Sequence, residues 1–471
     1  MLTYSFANLH GQSMYAHLYG CIKKDIAAGT LQPGEKLPSK RTLAKNLGIS
    51  LITVENAYAQ LLVEGYIYSR PKRGYYVARL QQQPKRTAPL PAEEQQPEAG
   101  EPYYADFARS SVPADTFPYN TWARLLRHTL TAADEHALIS DTSAGGVLRL
   151  RQAIAKHLYE FRGVSVSPEQ IIIGAGTQTL YNIIVQLLGR SHIYALEDPG
   201  YPSLVSIYRC NDVFCRYLPM DEQGIRTDAL ENSRADILHI TPSHQFPTGI
   251  VMPVSRRYEL LDWAARRSTR YIIEDDYDCE FRLYGRPIPP LQSIDTGEKV
   301  IYINTFSKTL APTFRISYMV LPRHLARLFY DKLGFYSCTV SNFEQFTLAE
   351  FIEKGHLERH INRMRTYYRG KRDKLLQYIA ASPAAPAIKV EGEDSGLHFL
   401  LRLETDATDS SLAAAAKEQR INIKFISGYY HDKVNDFSHT MLMNYAGIPE
   451  ERLWPALDRL FAALGPYLKL Q

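Results

Sequence analysis

Asn304-Thr-Phe-Ser-Lys308-Thr-Leu-Ala311, closed by Phe314-Arg315-Ile316, is the stretch on which the reading of this chain turns. It follows an acid-rich segment, Ile273-Glu274-Asp275-Asp276-Tyr277-Asp278, and Lys308 lies 33 residues beyond Asp275. A lysine that forms a Schiff base with pyridoxal phosphate needs such company: a carboxylate for the ring nitrogen, and cations or amides for the phosphate.

Outward from these motifs, short apolar runs alternate with helical ones. Strand-like segments are Gln170-Ile-Ile-Ile173, His192-Ile-Tyr-Ala-Leu196, Asp236-Ile-Leu-His-Ile240, Tyr271-Ile-Ile-Glu274 and Val300-Ile-Tyr-Ile303, with a helix expected from about Thr179. That alternation predicts an α/β fold, a mostly parallel sheet with helices on both faces. The acidic and lysine motifs fall just past the carboxyl ends of strands, where α/β sheets place ligands.

Each candidate then has a separate chemical job. Lys308 supplies the amine, activated by desolvation and neighbouring cations that favour its neutral form. Asp275 pairs with the ring nitrogen and Tyr277 with the phenolic oxygen. Arg315 suits bidentate phosphate binding, and Ser307 adds a hydroxyl. Gly176-Thr177-Gln178, at a strand-to-helix junction, presents backbone N–H groups to the phosphate. Tyr201, in Asp198-Pro-Gly-Tyr201, is placed to stack on the ring. Singly, a lysine is most often a surface charge, an aspartate a turn cap and a tyrosine after Pro-Gly packing. Their joint occurrence, in order and at strand ends, points to a cofactor site.

The amino-terminal part is of another kind. Ser13 is placed to cap a helix running to about Ala28, Ser39 caps Lys40–Leu47, and Gly48 ends that helix. Ser50 caps a third helix, in which Val54, Ala57, Tyr58 and Leu61 recur at helical spacing. Tyr66-Ile-Tyr-Ser69 and Gly74-Tyr-Tyr-Val77 then bracket a basic hairpin tip, Arg70-Pro-Lys-Arg73. Helix, helix–turn–helix and basic wing make a winged helix. Charge agrees: residues 1–80 carry ten basic side chains against four acidic, a net +6, whereas the whole chain of 471 residues carries +4. Positive charge gathered in one terminal piece suits a phosphate-backbone partner.

Between these parts, residues 81–103 are rich in proline, glutamine and glutamate and almost devoid of aliphatic side chains. Such a segment buries too little to order itself and reads as a flexible linker. Three domains are therefore expected: 1–80, the linker 81–103, and 104–471. The last divides into a large part to about 330 and a smaller α+β part over 331–471. The five cysteines are scattered without metal-site spacing, and no run approaches a membrane helix in length or apolarity. Both point to a reducing cytoplasm, with no metal and no membrane partner.

Residues 33–77 resemble the GntR-type winged helix, through Pro33-Gly-Glu-Lys-Leu-Pro-Ser-Lys-Arg-Thr-Leu-Ala, Ile49–Leu61 and Glu64-Gly-Tyr. That resemblance implies a third helix in the major groove and a wing on the backbone or minor groove of an operator. Its contact candidates are Arg41, Ser50, Thr53 and Arg73, with Lys40 and Lys72 on phosphates. Leu51 and Glu55 depart from the family, which usually offers arginine or another polar contact at these positions.

Residues 104–471 resemble the class I aminotransferases, fold type I of the pyridoxal enzymes. With the GntR-like head, the chain resembles the MocR subfamily of bacterial transcription regulators. Thr241-Pro-Ser-His-Gln-Phe-Pro-Thr-Gly249 and Glu274–Phe281 look especially like that subfamily. The resemblance implies a head-to-tail homodimer and an effector that repositions the heads on DNA. Two departures bear on that effector. Phe246 replaces the asparagine that in enzymes of the fold bonds the phenolic oxygen. Leu442 and Ser203 stand where arginines grip a substrate carboxylate in aminotransferases and in the GABA-responsive member, although Arg402 or a lysine can substitute.

The leading expectation is a regulator whose signal is pyridoxal phosphate itself, as in members that control vitamin B6 synthesis. It would have no turnover that matters, apart from a residual half-transamination. The alternatives are a MocR-type regulator sensing an amine or an amino acid, a working aminotransferase with an appended DNA-binding domain, and a regulator that keeps the cofactor only as structural glue.

Overall fold

The computed structural model describes residues 2–6, 12–80, 103–109, 112–132, 135–283, 288–394, 396–431 and 436–469. The chain divides into two compact units, Met1–Gly100 and Glu101–Gln471. Apart from Tyr103, the expected linker 81–103 lies outside the described residues.

The first unit holds α1 (Met14–Ala28), α2 (Lys40–Leu47), α3 (Leu51–Val63), and a hairpin of β1 (Ile67–Arg70) and β2 (Gly74–Val77). Ser39 and Ser50 cap as expected: each Oγ accepts the backbone N–H three residues on, both at 3.1 Å. Ser13 occupies the corresponding place before α1 but makes no side-chain cap. The hairpin pairs Ile67 with Val77 and Arg70 with Gly74, so its first strand starts one residue later than the expected Tyr66. Leu18, Ile22, Leu43, Val54, Tyr58, Leu61 and Val77 close the core of this unit. Each such side chain contributes roughly 1.5–3 kcal/mol by leaving water.

In the second unit, β3 (Ala105–Asp106) runs beside a strand far along the chain. Then come β4 (Ile171–Gly174), β5 (Ile193–Asp198), β6 (Phe214–Asp221), β7 (Gly224–Ile225), β8 (Ile237–Ile240), β9 (Tyr271–Asp275), β10 (Val300–Thr305) and β11 (Ser317–Val320). They form one sheet in the order β4-β11-β10-β9-β8-β5-β6-β7. The central pairs, from β10 through β9, β8 and β5 to β6, are parallel. β11 runs antiparallel to both β10 and β4, so β4 points the same way as the parallel strands. The sheet is thus mixed, with a parallel centre. Residues of β4, β8 and β10 are buried throughout, which accounts for their continuous apolar runs. Apolar clusters on both sides of the sheet attach the covering helices.

The carboxy-terminal part adds β12 (Ile388–Glu391), β13 (His398–Leu403), β14 (Ile421–Asn422), β15 (Lys424–Phe425) and β16 (Thr440–Asn444). An antiparallel sheet in the order β12-β13-β16-β15 packs its own core, and β14 is the partner of β3. The 26-residue helix His356–Ala381 contributes Leu375 and Ile379 to that core. No helix among the described residues is long and apolar enough to cross a membrane.

Candidate functional site

Because β4, β5, β8, β9 and β10 all point one way, the segments leaving their carboxyl ends meet at one edge of the sheet. That edge gathers the residues singled out in the sequence. Asp275 is the last residue of β9, and Lys308 lies three residues past the end of β10. Gly176 is the N-cap of the helix Thr177–Leu188 that follows β4, and Tyr201 that of the helix Pro202–Cys210 after β5.

Asp275 is 8% exposed and held from behind. Tyr181, one turn into the helix Thr177–Leu188, donates its hydroxyl to Asp275 Oδ2. His239 Nε2 lies 3.7 Å from the same oxygen, and Tyr208 Oη lies 2.7 Å from His239 Nδ1. The other oxygen, Asp275 Oδ1, is buried without a hydrogen-bond partner among the described residues. A buried carboxylate oxygen without a donor is costly, so this atom marks a place where a donor from a ligand belongs. Nearby, Glu197 accepts from the backbone N–H and hydroxyl of Thr241, at 3.1 and 2.8 Å, and burial pushes its carboxyl up to about 7. Glu197, Tyr201, Phe246 and Asp275 share the lining of a cavity of about 30 Å³.

Lys308 is half-buried, and desolvation lowers its pKa although Asp278 opposes the shift. The neutral, nucleophilic amine is thereby favoured. Tyr277 lies 3.3 Å from His244 Nδ1 through its hydroxyl oxygen. Burial, and then the carboxylates Asp278 and Asp275, hold its phenol well above the ordinary tyrosine range.

The end of the site at Gly176 is built by close approach. Gly176 has φ +87°, and a Cβ there would lie 2.2 Å from Arg315 Nη2. Only glycine lets the exposed guanidinium settle against the loop that opens the helix Thr177–Leu188. Thr177 is half-buried and Gln178 exposed. Ser307 differs from expectation in detail: its hydroxyl donates to the Phe314 carbonyl at 2.9 Å, so its hydrogen is already engaged.

In the first unit, Arg41, Ser50, Lys72 and Arg73 are exposed and Thr53 is half-buried. The hydroxyls of Ser50 and Thr53 are 2.8 Å apart, so both oxygens face one another across the first turn of α3. Lys40, expected on a phosphate, instead lies 3.5 Å from Glu55 and 5.6 Å from the Tyr75 ring centroid. Leu51 and Ile52, 38% and 67% exposed, give the start of α3 an apolar surface where the resembled family carries arginine.

Two family models match the chain. Residues 14–77 match "Bacterial regulatory proteins, gntR family", and residues 116–460 match "Aminotransferase class I and II". The probable rhizopine catabolism regulatory protein MocR of Rhizobium meliloti is 31% identical, over 96% of this chain and 93% of its own. The chain belongs to the MocR-type regulators. Another relative is the HTH-type pyridoxine biosynthesis transcriptional regulator PdxR of Corynebacterium glutamicum, 30% identical over 87% of each chain. Among solved structures, the multiple substrate aminotransferase from Thermococcus profundus superposes with a TM-score of 0.68 at 25% identity. It covers 77% of this chain and 91% of its own. MocR-type chains thus pair a DNA-binding head with the aminotransferase fold, and this one keeps both.

Sequence reading missed the groups that stand behind the site of this MocR-type chain: Tyr181, His239, Glu197, His244, Asp278 and His398. Tyr181 and His239 sit in apolar runs, where a polar ring reads as core. His244 and Asp278 lie within quoted motifs, but nothing in one dimension shows that they touch. Leu442, read as replacing a carboxylate-binding arginine, is fully buried with Leu400, Ile426 and Tyr429 against Phe246, an apolar wall.

Proposed function

We propose that this chain is a transcription regulator that holds pyridoxal 5'-phosphate at the carboxyl edge of its large sheet, and that occupancy of this site alters binding of the head to operator DNA. The observation that carries the proposal is the partnerless buried oxygen of Asp275 together with the Gly176–Arg315 cradle. The first calls for a donor such as a protonated ring nitrogen, and the second for an anion such as a phosphate.

The residues fit the cofactor. Lys308 offers the amine to its aldehyde, Asp275 the acceptor for its ring nitrogen and Tyr277 the hydroxyl for its phenolic oxygen. Tyr201 supplies a face for the ring. Gly176, Thr177, Gln178 and Arg315 would line the phosphate end, and Ser307, beside Lys308 in sequence, would add to it. When bound, the cofactor supplies an aldehyde that Lys308 captures and a ring that draws electrons from whatever that nitrogen carries.

The leading effector is pyridoxal phosphate itself, which places the regulator in the control of vitamin B6 metabolism. Two observations favour it over an amino acid: the apolar wall at Leu442 and the serine at 203, neither of which grips a carboxylate. The kinship with PdxR points the same way. The same features argue against physiological turnover of amino acids. On the DNA side, Arg41, Ser50, Thr53, Lys72 and Arg73 form the contact set, and Lys40 joins it once DNA competes with Glu55. A head-to-tail homodimer would set two heads on one operator.

The test is binding of the purified protein to the DNA upstream of its own gene, with and without pyridoxal phosphate at fixed salt. A changed affinity or footprint supports the cofactor as signal. Tight binding that ignores it turns attention to amines and amino acids as effectors.

A further inference from the structure

The asparagine expected before Pro247 is absent, and the Phe246 ring in its place has no donor for a phenolic oxygen. Behind Tyr277, however, three buried side chains meet that no expectation assigned. His244 Nδ1 lies 2.9 Å from Asp278 Oδ2, and both residues are 4% exposed. Tyr277 Oη lies 3.3 Å from the same nitrogen. The imidazole of His398, from β13, packs on that of His244 with ring centroids 4.7 Å apart.

We propose that His244, fixed by Asp278, is a positioning residue that aims the Tyr277 hydroxyl at the cofactor's phenolic oxygen and so takes over the task of the missing asparagine. This rests on the pyridoxal phosphate reading above.

The direction follows from the donor inventory. A carboxylate at 2.9 Å only accepts, so Nδ1 carries the hydrogen. One N–H shared between Asp278 and Tyr277 makes the tyrosine oxygen an acceptor on that side. Its own O–H is then directed away, toward the site. The phenol remains a donor across the accessible pH range, because burial and the carboxylates Asp278, Asp275, Glu197 and Asp276 all oppose its ionisation.

The groups facing His244 come from several segments of the chain. Asp278 and Tyr277 come from the segment after β9. His398 comes from β13, and burial followed by His244 and Lys308 holds it well below the ordinary histidine range. Lys308, which interacts with Asp278, comes from the segment after β10. On the far side Arg162, Cys279 and Arg282 line a small cavity with His244 and Asp278.

Gly396 completes the arrangement. A Cβ there would lie 2.0 Å from His244 Cε1 and 2.8 Å from Asp278 Oδ2, and its φ is +71°. Its N–H donates to the Phe281 carbonyl at 3.1 Å, tying the approach to β13 to the segment that carries Asp278.

The experiment is a pH titration of the visible absorbance of the full-length protein reconstituted with pyridoxal phosphate. A donor on the phenolic oxygen stabilises its negative charge and weakens its hold on the proton of the Lys308 nitrogen, so that proton leaves at lower pH. His244→Phe removes the donor and keeps a ring against His398. It should raise the midpoint by about one pH unit. Tyr277→Phe should raise it similarly, and the double variant should add nothing further. His244→Asn, whose amide reaches the place of Nδ1, should titrate near the parent.

Should His244→Phe fail to fold, His244→Leu removes the same donor without touching the charge of Asp278, and should also shift the midpoint upward. An unchanged midpoint in the variant that folds overturns the proposal. So does an undiminished further shift when His244→Phe is added to Tyr277→Phe. An unmodified protein that develops no visible band with pyridoxal phosphate defeats the cofactor reading itself, a separate outcome.

Discussion

At the scale of single residues, the site is a set of atoms whose needs are met only in part by the chain. Lys308→Ala should abolish the visible band that the protein acquires with pyridoxal phosphate, because no other amine is expected to capture the aldehyde. An unchanged band in a difference spectrum would remove Lys308 from this role. Gly176→Ala should weaken cofactor affinity at least tenfold in a spectroscopic titration, since a methyl group there displaces the Arg315 guanidinium. Glu197 makes a prediction with a sign. Its folded pKa of about 7 lies above the ordinary glutamate value, so the stability it contributes is present at low pH and lost as pH rises through about 7. Glu197→Gln should flatten that loss. Relative to the parent the variant should gain stability between pH 5 and 7, at a slope approaching 1.4 kcal/mol per pH unit. Urea unfolding at several pH values measures it, and parallel curves would refute it.

At the scale of elements, serine caps open α2 and α3 of the winged helix, and Gly48 in the left-handed region closes α2. Ser50→Ala should lower the stability of the head by about 1 kcal/mol through loss of the α3 cap, as thermal unfolding of the full chain will register. Arg41→Ala should weaken operator binding by about 1–3 kcal/mol if the contact is to a base, a change read by titration against labelled operator.

How much was legible in the sequence differs between elements. β4, β5, β8, β9 and β10 were readable because strands buried on both faces are short, continuous apolar runs between helices. β6 was missed: Phe214–Asp221 alternates in burial toward the sheet edge and contains Pro219, so it lacks such a run. β11 was missed because Ile316 and its neighbours were read as the close of the lysine motif. The carboxy-terminal sheet was expected only as an α+β part, its strands being short and far apart in sequence. Within the site, residues carried by contiguous motifs could be named in advance. Tyr181, His239, His244 and Asp278 could not, since their meaning lies in contacts across tens of residues.

At the scale of the whole molecule, one chain carries a basic head and an aminotransferase-fold body, and the proposed signalling must couple them. If the cofactor changes operator affinity by some factor, operator DNA must change cofactor affinity by the same factor. Titrating pyridoxal phosphate into the protein with and without operator should therefore give two different dissociation constants, in the ratio seen in the DNA-binding assay. Equal constants alongside a real effect on DNA binding would break that thermodynamic cycle and exclude simple equilibrium coupling. Operator affinity should also fall steeply with salt, as expected of a head with a net charge of +6 over residues 1–80.

The approach of Gly396 to His244 carries one consequence more. The small antiparallel sheet meets the imidazole behind Tyr277 through the His398 ring of β13, and Gly396, just before that strand, leaves no room beside it for a side chain. A shift of that sheet by a fraction of an ångström alters the room available to the imidazole and hence the aim of the tyrosine. The tint of the loaded protein would then act as a built-in gauge of its posture, readable in a cuvette without any attached label while DNA is added.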